Sequence, residues 1–371
     1  MDSARQIITD LLHEAGVTVG GSEPCDLQVH DERLYDRLLA QGSLGLGESY
    51  MDGWWDVERL DEFFEKIFRA RLDRHHSTRG KWFWAWMRAR LLNMQTKSRS
   101  KRVAQRHYDL GNEFFQDMLD PSMSYSCAYW EKAGSLEQAQ EDKFELICRK
   151  LQLEPTDRVL DLGCGWGGFA IYAAKHYGCH VTGYNISAEQ IHFAREHAAS
   201  LPVEFIEADY REAHGRYDKV VSVGLFEHIG PKNYTNAISL ASQLMTDDGL
   251  FLLHSIGRSG SSTHVDPWIE KYIFPGGVLP SMSQLAGAIE DRLIVEHFHG
   301  FGPDYDRTLM SWYANFVEHW DRHREKFDER FYRMWCYYLL SCAAGFRARR
   351  LHLWQWVLSK HGVVGGYRFT A

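Results

Sequence analysis

A single cysteine lies in an aromatic setting within the stretch SYSCAYW, residues 124–130. Two tyrosines, a tryptophan and two serines surround Cys127. A thiol in such a place could be a nucleophile, could help to bind an ion, or could fill space in a core. The residue types alone leave these three interpretations open.

A glycine-rich stretch, VLDLGCGWGG at 159–168, follows a strand pattern and precedes a helix pattern. Glycines let the backbone approach a ligand, and the helix N-terminus points amides at it. Dinucleotide folds favour GxGxxG with a later carboxylate, whereas here the spacing is GxGxGG and Asn185 ends the next predicted strand. The DxGxGxG form resembles the loop of class I S-adenosylmethionine (SAM) methyltransferases. A tight turn without a ligand is the alternative.

Three polar side chains downstream could take part in proton chemistry. Glu227 follows the fourth predicted strand, His254 lies inside an apolar strand pattern, and Tyr305 follows a Gly-Pro turn. Each has an ordinary structural interpretation as well. Glu227 could be a surface group, His254 a hydrogen-bonded core histidine, and Tyr305 a packing residue.

Alternating strand and helix patterns predict an α/β fold with a parallel sheet covered on both faces. The predicted strands are 157–163, 178–185, 202–209, 217–224 and 249–256, with helices at 187–199 and 231–245. Two later strands are predicted at 293–301 and 365–371. Between them, residues 306–360 read as a helical, aromatic insertion that could cap an apolar pocket.

The N-terminal part has a different character. Residues 1–66 read as mainly helical, with a loop at 41–55 because glycines recur there, and 56–72 has the period of an amphipathic helix. We therefore predict an N-terminal lipid- or membrane-binding domain at 1–92, a basic linker at 93–106, and a catalytic domain at 107–371.

Composition narrows the class of protein. The 371 residues carry a net charge of −8, and the seven cysteines include no CxxC pair, which argues against a disulfide framework and a structural zinc. No signal peptide or membrane-spanning run is evident, so a cytoplasmic protein is expected.

The charge distribution is uneven. Residues 69–106 hold twelve Lys/Arg and one acid, and they include the tryptophan-rich stretch KWFWAWMRARLL. This composition favours an anionic membrane surface. Single-stranded nucleic acid, or a core helix followed by a solvated linker, are the alternatives.

The motifs SLGLGESYMDGWW, SYSCAYW, DLGCGWGG, VSVGLFEHIGPKNY and LLHSIG occur in one order along the chain. In this order, and over nearly the full length, the chain resembles the cyclopropane-fatty-acyl-phospholipid synthases. The resemblance implies a homodimer, which we expect to associate peripherally with the inner face of the membrane. It also implies methylene transfer from SAM to a cis double bond of a phospholipid acyl chain, with bicarbonate as the base. Relatives that leave a methyl branch or a hydroxyl, small-molecule N-methylation, and lipid binding without catalysis remain alternatives.

The resemblance also assigns residues. It places bicarbonate at Cys127, Glu227, His254, the Ile256 backbone and Tyr305, and it matches Cys342 to a C-terminal motif. Glu227 is expected to bind the bicarbonate hydroxyl, unless a protonated His254 offsets the charge. The positions implied to contact SAM are Tyr125, Ser126, Gly163, Cys164, Gly165, Gly167, Asn185, Ser187, Gln190, Asp209 and Tyr210. No metal is implied.

Overall fold

The computed structural model describes residues 4–72 and 110–369. The tryptophan-rich basic stretch and the linker predicted at 93–106 lie outside these residues. The chain divides into two compact units. The first comprises Met1–Leu92, His264–Pro275 and Tyr305–Leu351, and the second comprises Asn93–Thr263, Gly276–Asp304 and His352–Ala371.

The first unit is mainly helical. Its helices are Ala4–Glu14, Arg33–Gln41, Ser43–Met51, Leu60–Arg69, Pro267–Tyr272, Glu329–Arg347 and, from Tyr305 onward, Pro303–His319. A short antiparallel pair joins β1 (Gln28–Val29) to β2 (Trp55–Asp56). The apolar face of helix Leu60–Arg69 is buried as its sequence period predicts, with Phe63 and Phe64 in the core. The cap role predicted for the insertion at 306–360 stays a prediction.

The prediction of a loop at 41–55, made from its glycines, is wrong for most of that stretch. Gly42 does end one helix, with φ at 58°, but Ser43–Met51 is itself helical. Gly45 and Gly47 lie inside that helix because neighbouring groups come close. A Cβ on Gly47 would lie 2.3 Å from the Trp268 ring, and one on Gly45 would lie 2.5 Å from the Arg37 carbonyl oxygen. These glycines serve close packing rather than a bend.

The second unit is built on a seven-stranded sheet. Its strands are β3 (Arg158–Leu162), β4 (His180–Asn185), β5 (Val203–Glu207), β6 (Tyr217–Val223), β7 (Met245–Arg258), β8 (Ile294–Gly300) and β9 (Leu351–Ser359). Their order in the sheet is β5-β4-β3-β6-β7-β9-β8. Strands β3 to β7 pair in parallel, whereas β8 and β9 are antiparallel.

Helices cover the sheet on both faces, as the alternating pattern predicts. They are Asn112–Met118, Leu136–Leu151, Gly168–Tyr177, Ala188–Ala198, Phe226–Ile229, Tyr234–Leu244 and Met282–Ile289. Adjacent residues of one strand enter opposite cores, Val159 on one side and Leu160 on the other. Such doubly covered strands have continuous apolar sequences, which is why the first five strands could be located from the sequence.

The last strand is not where the sequence pattern put it. Residues 365–369 form no strand, and both Gly365 and Gly366 have positive φ. Strand β9 instead follows helix Glu329–Arg347, within the stretch predicted to be helical. The segment LHLWQWVLS contains two tryptophans and a valine, which are residue types enriched in strands, and it pairs with β8 at the edge of the sheet. In the part of the chain that the structure describes, no helix has the length and apolarity needed to cross a membrane.

Candidate active site

The predicted cofactor loop lies at the carboxyl end of β3. Gly163, Gly165 and Gly167 all have positive φ, between 57° and 86°, which favours glycine. The Gly163 and Cys164 amides donate to the Tyr184 carbonyl, so the loop is held to β4. A Cβ on Gly167 would meet the Phe205 ring at 2.5 Å, whereas one on Gly165 would enter open space. The backbone therefore leaves room at Gly165 for a ligand.

Asn185 and Gln190 form one hydrogen-bonded unit beside this loop. The Asn185 amide nitrogen donates to Gln190 Oε1 at 2.6 Å and to the Gly165 carbonyl at 3.2 Å. The Asn185 oxygen accepts from the Ile186 amide at 2.8 Å. Within the described chain the buried Gln190 Nε2 has no hydrogen-bond partner. Asn185 thus orients Gln190, whose free amide can donate to a ligand.

The other positions implied for the cofactor lie at helix starts near the same sheet edge. Ser187 caps helix Ala188–Ala198 by accepting from the Gln190 amide. Asp209 caps the short turn Tyr210–Glu212 and forms an ion pair with Arg211. Tyr210 is buried, and the Arg211 guanidinium lies 5.4 Å from its ring centroid. These capping bonds give Ser187 and Asp209 structural roles at the starts of their helices, and the SAM contacts implied by the resemblance stay predictions.

Side chains of helix Leu136–Leu151 hold the SYSCAYW segment in place by hydrogen bonds. Gln140 donates to the carbonyls of Ser124 and Ser126, and the Lys143 ammonium donates to the Ser126 hydroxyl at 2.8 Å. Tyr125 packs edge-on against Phe115, with ring centroids 5.4 Å apart. The segment is therefore a fixed structure rather than a loose loop.

Cys127 is fully buried at the centre of this segment. Its thiol lies 3.2 Å from the Ala128 carbonyl, an interaction that keeps the proton on sulfur. The geometry favours a thiol that packs and shapes the turn.

Glu227 lies just beyond β6, at the carboxyl edge of the sheet. Its Oε1 accepts the Ile256 amide at 2.6 Å. Its Oε2 is buried and has no hydrogen-bond partner among the described residues. Burial raises the pKa of Glu227 to about 7. The Ile256 amide thus orients this carboxyl, and the role of the Ile256 backbone at bicarbonate stays a prediction.

His254 lies on β7, opposite Val223 of β6 in the sheet register. The side chain is 1% exposed, and its Nδ1 lies 3.1 Å from Gln355 Nε2. Over residues 4–72 and 110–369, Nε2 has no hydrogen-bond partner. Burial lowers the pKa of His254 well below its usual value, which favours the neutral imidazole. The lowered pKa disfavours the alternative in which a protonated His254 offsets the Glu227 charge.

Two buried lysines lie near His254. Lys143 and Lys150 are each no more than 1% exposed, and neither forms an ion pair within the described residues. Burial lowers the pKa of Lys143 to about 8 and that of Lys150 to about 7. Both lysines act electrostatically on His254, so they lie close enough to favour an anion beside it.

Tyr305 and Cys342 belong to the first unit. The Tyr305 ring packs against Phe346 and Trp312, with centroids 4.6 and 5.8 Å away. Desolvation raises the pKa of the Cys342 thiol to about 12, so its reactive thiolate is scarce at neutral pH. The roles that the resemblance gives these two residues remain predictions.

Sequence reasoning missed Lys143, Lys150 and Gln355. A signal was present, because the two lysines stand seven residues apart on the face of helix Leu136–Leu151 that also carries Ile147. Gln355 is likewise a polar residue inside an apolar strand. Buried polar groups need partners, so each marks a place where chemistry or a network is to be expected.

The fold and the loop define a class of protein. A sheet of this order, with a glycine-rich turn after its first parallel strand and polar groups at the carboxyl edge, is that of class I SAM methyltransferases. A solved structure of coclaurine N-methyltransferase bound to N-methylheliamine and SAH matches with a TM-score of 0.71 over 85% of this chain and 99% of that chain. At 22% identity that likeness shows the fold alone.

The chain belongs to the mycolic acid cyclopropane synthetase family, whose model matches residues 95–356. It is therefore a SAM-dependent methyltransferase, and the resemblance seen in the motifs is confirmed. The chain is 48% identical to the cyclopropane-fatty-acyl-phospholipid synthase of Escherichia coli K12 over 367 residues, 99% of this chain and 96% of the relative.

Solved structures agree with this assignment. The cyclopropane synthase MmaA2 from Mycobacterium tuberculosis is 29% identical, with a TM-score of 0.66, over 70% of this chain and 98% of that chain. The mycolic acid cyclopropane synthase CmaA1, complexed with SAH and CTAB, is 31% identical with the same TM-score and the same coverage.

Cys127→Ser is expected to keep at least about a tenth of wild-type activity. A hydroxyl can replace the thiol as donor to the Ala128 carbonyl, and the change in volume is small. The measurement is the rate of transfer from labelled SAM to phospholipid. Loss of all activity, with SAM binding intact, would show that the thiol itself reacts. Cys148→Ser, in the core beneath the sheet, is the matched control for burying a hydroxyl.

Proposed function

We propose that the protein transfers a methylene group from SAM to the cis double bond of an unsaturated acyl chain in membrane phospholipid. The products are a cyclopropane fatty acyl chain and S-adenosylhomocysteine. One observation carries the base assignment: two buried side-chain atoms, Glu227 Oε2 and His254 Nε2, lack partners within the described residues at the carboxyl ends of neighbouring strands. Buried polar atoms are rarely left unpaired, so a bound group is expected there.

Bicarbonate fits these atoms. The anion has one hydroxyl donor and several acceptor oxygens, which complements a carboxylate acceptor and an imidazole N–H donor. Glu227 Oε2 would accept the hydroxyl and His254 Nε2 would donate to an oxygen. Lys143 and Lys150, which act electrostatically on His254, would favour an anion bound beside it. When bound, the anion supplies a base that removes the proton lost on ring closure.

The chain's own residues prepare the reaction. Gly163, Gly165 and Gly167 would let the backbone approach the amino-acid part of SAM, and Gln190 Nε2 would donate to the cofactor. An alkene is a weak nucleophile, so the donor methyl must be held in line with it and water kept out.

Aromatic rings connect the SYSCAYW segment to His254. Tyr129 lies 5.3 Å from Phe301, and Phe301 lies 5.8 Å from His254, measured between ring centroids. Aromatic faces stabilise a cation, and they carry no strong nucleophile that would itself be alkylated. This environment suits a positively charged intermediate.

Access to lipid is the remaining part of the proposal. We infer that the protein is cytoplasmic, acts as a homodimer, and binds the inner face of an anionic membrane through its N-terminal part. The excess of basic residues in 69–106 supports this, since each Lys/Arg near such a surface contributes about 1 kcal/mol. Binding to vesicles should therefore weaken with salt and require anionic lipid. Binding indifferent to both would contradict it.

Product analysis tests the function as a whole. Vesicles of monounsaturated phospholipid incubated with the protein and methyl-labelled SAM should yield acyl chains heavier by one CH₂ that no longer contain a double bond. A methyl-branched chain would be the product of the alternative chemistry. A methylated amine, or no lipid product, would overturn the proposal.

A further inference from the structure

A buried chain of hydrogen bonds leads from helix Leu136–Leu151 to His254. Lys150 Nζ lies 2.7 Å from Gln355 Oε1, and Gln355 Nε2 lies 3.1 Å from His254 Nδ1. Lys150 and Gln355 have no exposed surface, and His254 has 1%. This hydrogen-bond chain thus joins the helix, strand β9 and strand β7 inside the second unit.

The bonding capacities fix the direction of this chain. An ammonium group has three donors and no acceptor, so Lys150 requires the oxygen of Gln355 to face it. The Gln355 amide nitrogen then faces His254 and donates, which makes Nδ1 an acceptor. A neutral imidazole carries one proton, and it must therefore lie on Nε2, the ring atom without a partner in the described residues.

Lys150 is held in place by a second bond. Its Nζ lies 2.9 Å from His299 Nδ1 on strand β8. Burial lowers the pKa of His299 to about 4, so this ring is neutral and can accept. Two acceptors, Gln355 Oε1 and His299 Nδ1, therefore both favour the ammonium form of Lys150, and a bound anion nearby would favour it further.

We propose that Lys150 and Gln355 are positioning residues that hold His254 in the Nε2–H tautomer, so that its free N–H donates to the bound base. The inference rests on the proposed function for the identity of that base as bicarbonate. It goes beyond the proposed function in naming two residues that need not touch substrate, cofactor or bicarbonate. Without the chain, the imidazole proton could move to Nδ1, and Nε2 would then repel an anion.

Two variants test Lys150 and Gln355 separately. Lys150→Met removes the donor and lets the Gln355 amide rotate, and we expect the bicarbonate concentration for half-maximal activity to rise about tenfold. Gln355→Glu keeps the volume and the Lys150 bond but offers an acceptor to Nδ1. We expect the ring proton to appear on Nδ1 in this variant, with a similar rise in bicarbonate requirement.

The matched control is Lys360→Met. Lys360 is also a largely buried lysine of the second unit, with its Nζ 2.6 Å from the Met245 carbonyl, at the opposite end of β7 from His254. We expect this variant to keep the wild-type bicarbonate requirement. The KM for SAM should be unchanged in all three variants, because the cofactor loop is not part of the chain.

Stability and spectroscopy provide readouts other than activity. Lys150→Met relieves the desolvation of a buried charge but leaves Gln355 Oε1 and His299 Nδ1 without this donor, so its melting temperature is measured to show that the variant is folded at the assay temperature. Long-range ¹H–¹⁵N spectra of protein labelled in its histidine rings report the tautomer. The His254 signals are assigned by their absence from a His254→Asn spectrum.

The outcomes are distinct. A wild-type His254 that carries its proton on Nδ1 would overturn the inference, as would a Lys150→Met variant with the same bicarbonate requirement as Lys360→Met. If wild-type activity ignores bicarbonate, the base in the proposed function is wrong and the comparison of bicarbonate requirements does not apply. Control of the tautomer is then supported by an Nε2–H form in the wild type together with an Nδ1–H form in Gln355→Glu, and it is overturned if the two proteins show the same tautomer.

Discussion

Gly165→Ala is expected to weaken SAM binding about 100-fold while it lowers the free energy of unfolding by only about 1 kcal/mol. Gly165 has φ at 57°, and a Cβ built there meets no protein atom within 4 Å. The cost to folding is therefore backbone strain alone. The open space is where the proposed cofactor lies, so the methyl group would block the ligand. Isothermal titration with SAM and chemical unfolding measure the two quantities.

Gly178→Ala is the matched control for this prediction. Gly178 also has positive φ, at 73°, and its built Cβ makes only an ordinary contact of 3.7 Å with Pro155. It ends helix Gly168–Tyr177, the helix that begins at the cofactor loop. We expect the same loss of stability with unchanged SAM affinity. Equal SAM affinity in both variants would remove the loop from the cofactor site.

Glu227→Gln is expected to lower activity at limiting bicarbonate by about 100- to 1000-fold, a range within that of general acid–base groups. The glutamine oxygen would take the place of Oε1 on the Ile256 amide. Its NH₂ group would then face the bicarbonate hydroxyl, and two donors cannot bond to each other. The measurement is initial rate against bicarbonate concentration, with SAM and lipid saturating. Excess bicarbonate should restore part of the activity.

Glu296→Gln is the control for replacing a carboxylate that binds backbone. Glu296 Oε1 accepts the Val363 amide at 2.8 Å and the Ser359 hydroxyl at 2.6 Å, away from the carboxyl ends of β6 and β7. Its activity should follow that of the wild type. An equal loss in both variants would mean that the Glu227 effect is structural.

Glu227 also gives stability and activity a pH dependence of defined sign, which Glu227→Gln should remove. Burial raises the pKa of Glu227 to about 7 in the folded protein, above its ordinary value near 4.5. The folded state thus binds the proton more tightly, and wild-type stability should fall as pH rises from about 4.5 through 7. Glu227→Gln should lack this contribution. At constant bicarbonate, wild-type activity should rise through pH 7 as the acceptor form appears, and the variant should not show this rise.

The cofactor loop shows how far a local pattern can be carried. Apolar strands separated by helices required a doubly covered sheet, and the glycines of VLDLGCGWGG required a sharp turn between β3 and a helix. Because carboxyl ends of parallel strands share one edge, Glu227 and His254 could be expected near that turn. These inferences need only the period of the sequence and the conformational freedom of glycine.

The same reasoning failed where long-range contacts decide. Glycines 45 and 47 suggested a loop, yet they lie in a helix whose neighbours, Trp268 and the Arg37 backbone, leave no room for a side chain. The local pattern predicts a helix where β9 lies, since the strand forms only by pairing with β8, which is distant in sequence. Propensity is a weak guide when tertiary packing supplies the larger free energy.

The sequence by itself determined the class of fold, the position of the cofactor turn and the family, since these depend on local periodicity and on motifs in order. Only the tertiary structure decided how the site is charged and protonated. Lys150 and Gln355 stand 205 residues apart, and their bond, with the one to His254, exists only after the helix and two strands have packed. Burial then sets each pKa, because the cost of a charge depends on everything that surrounds it.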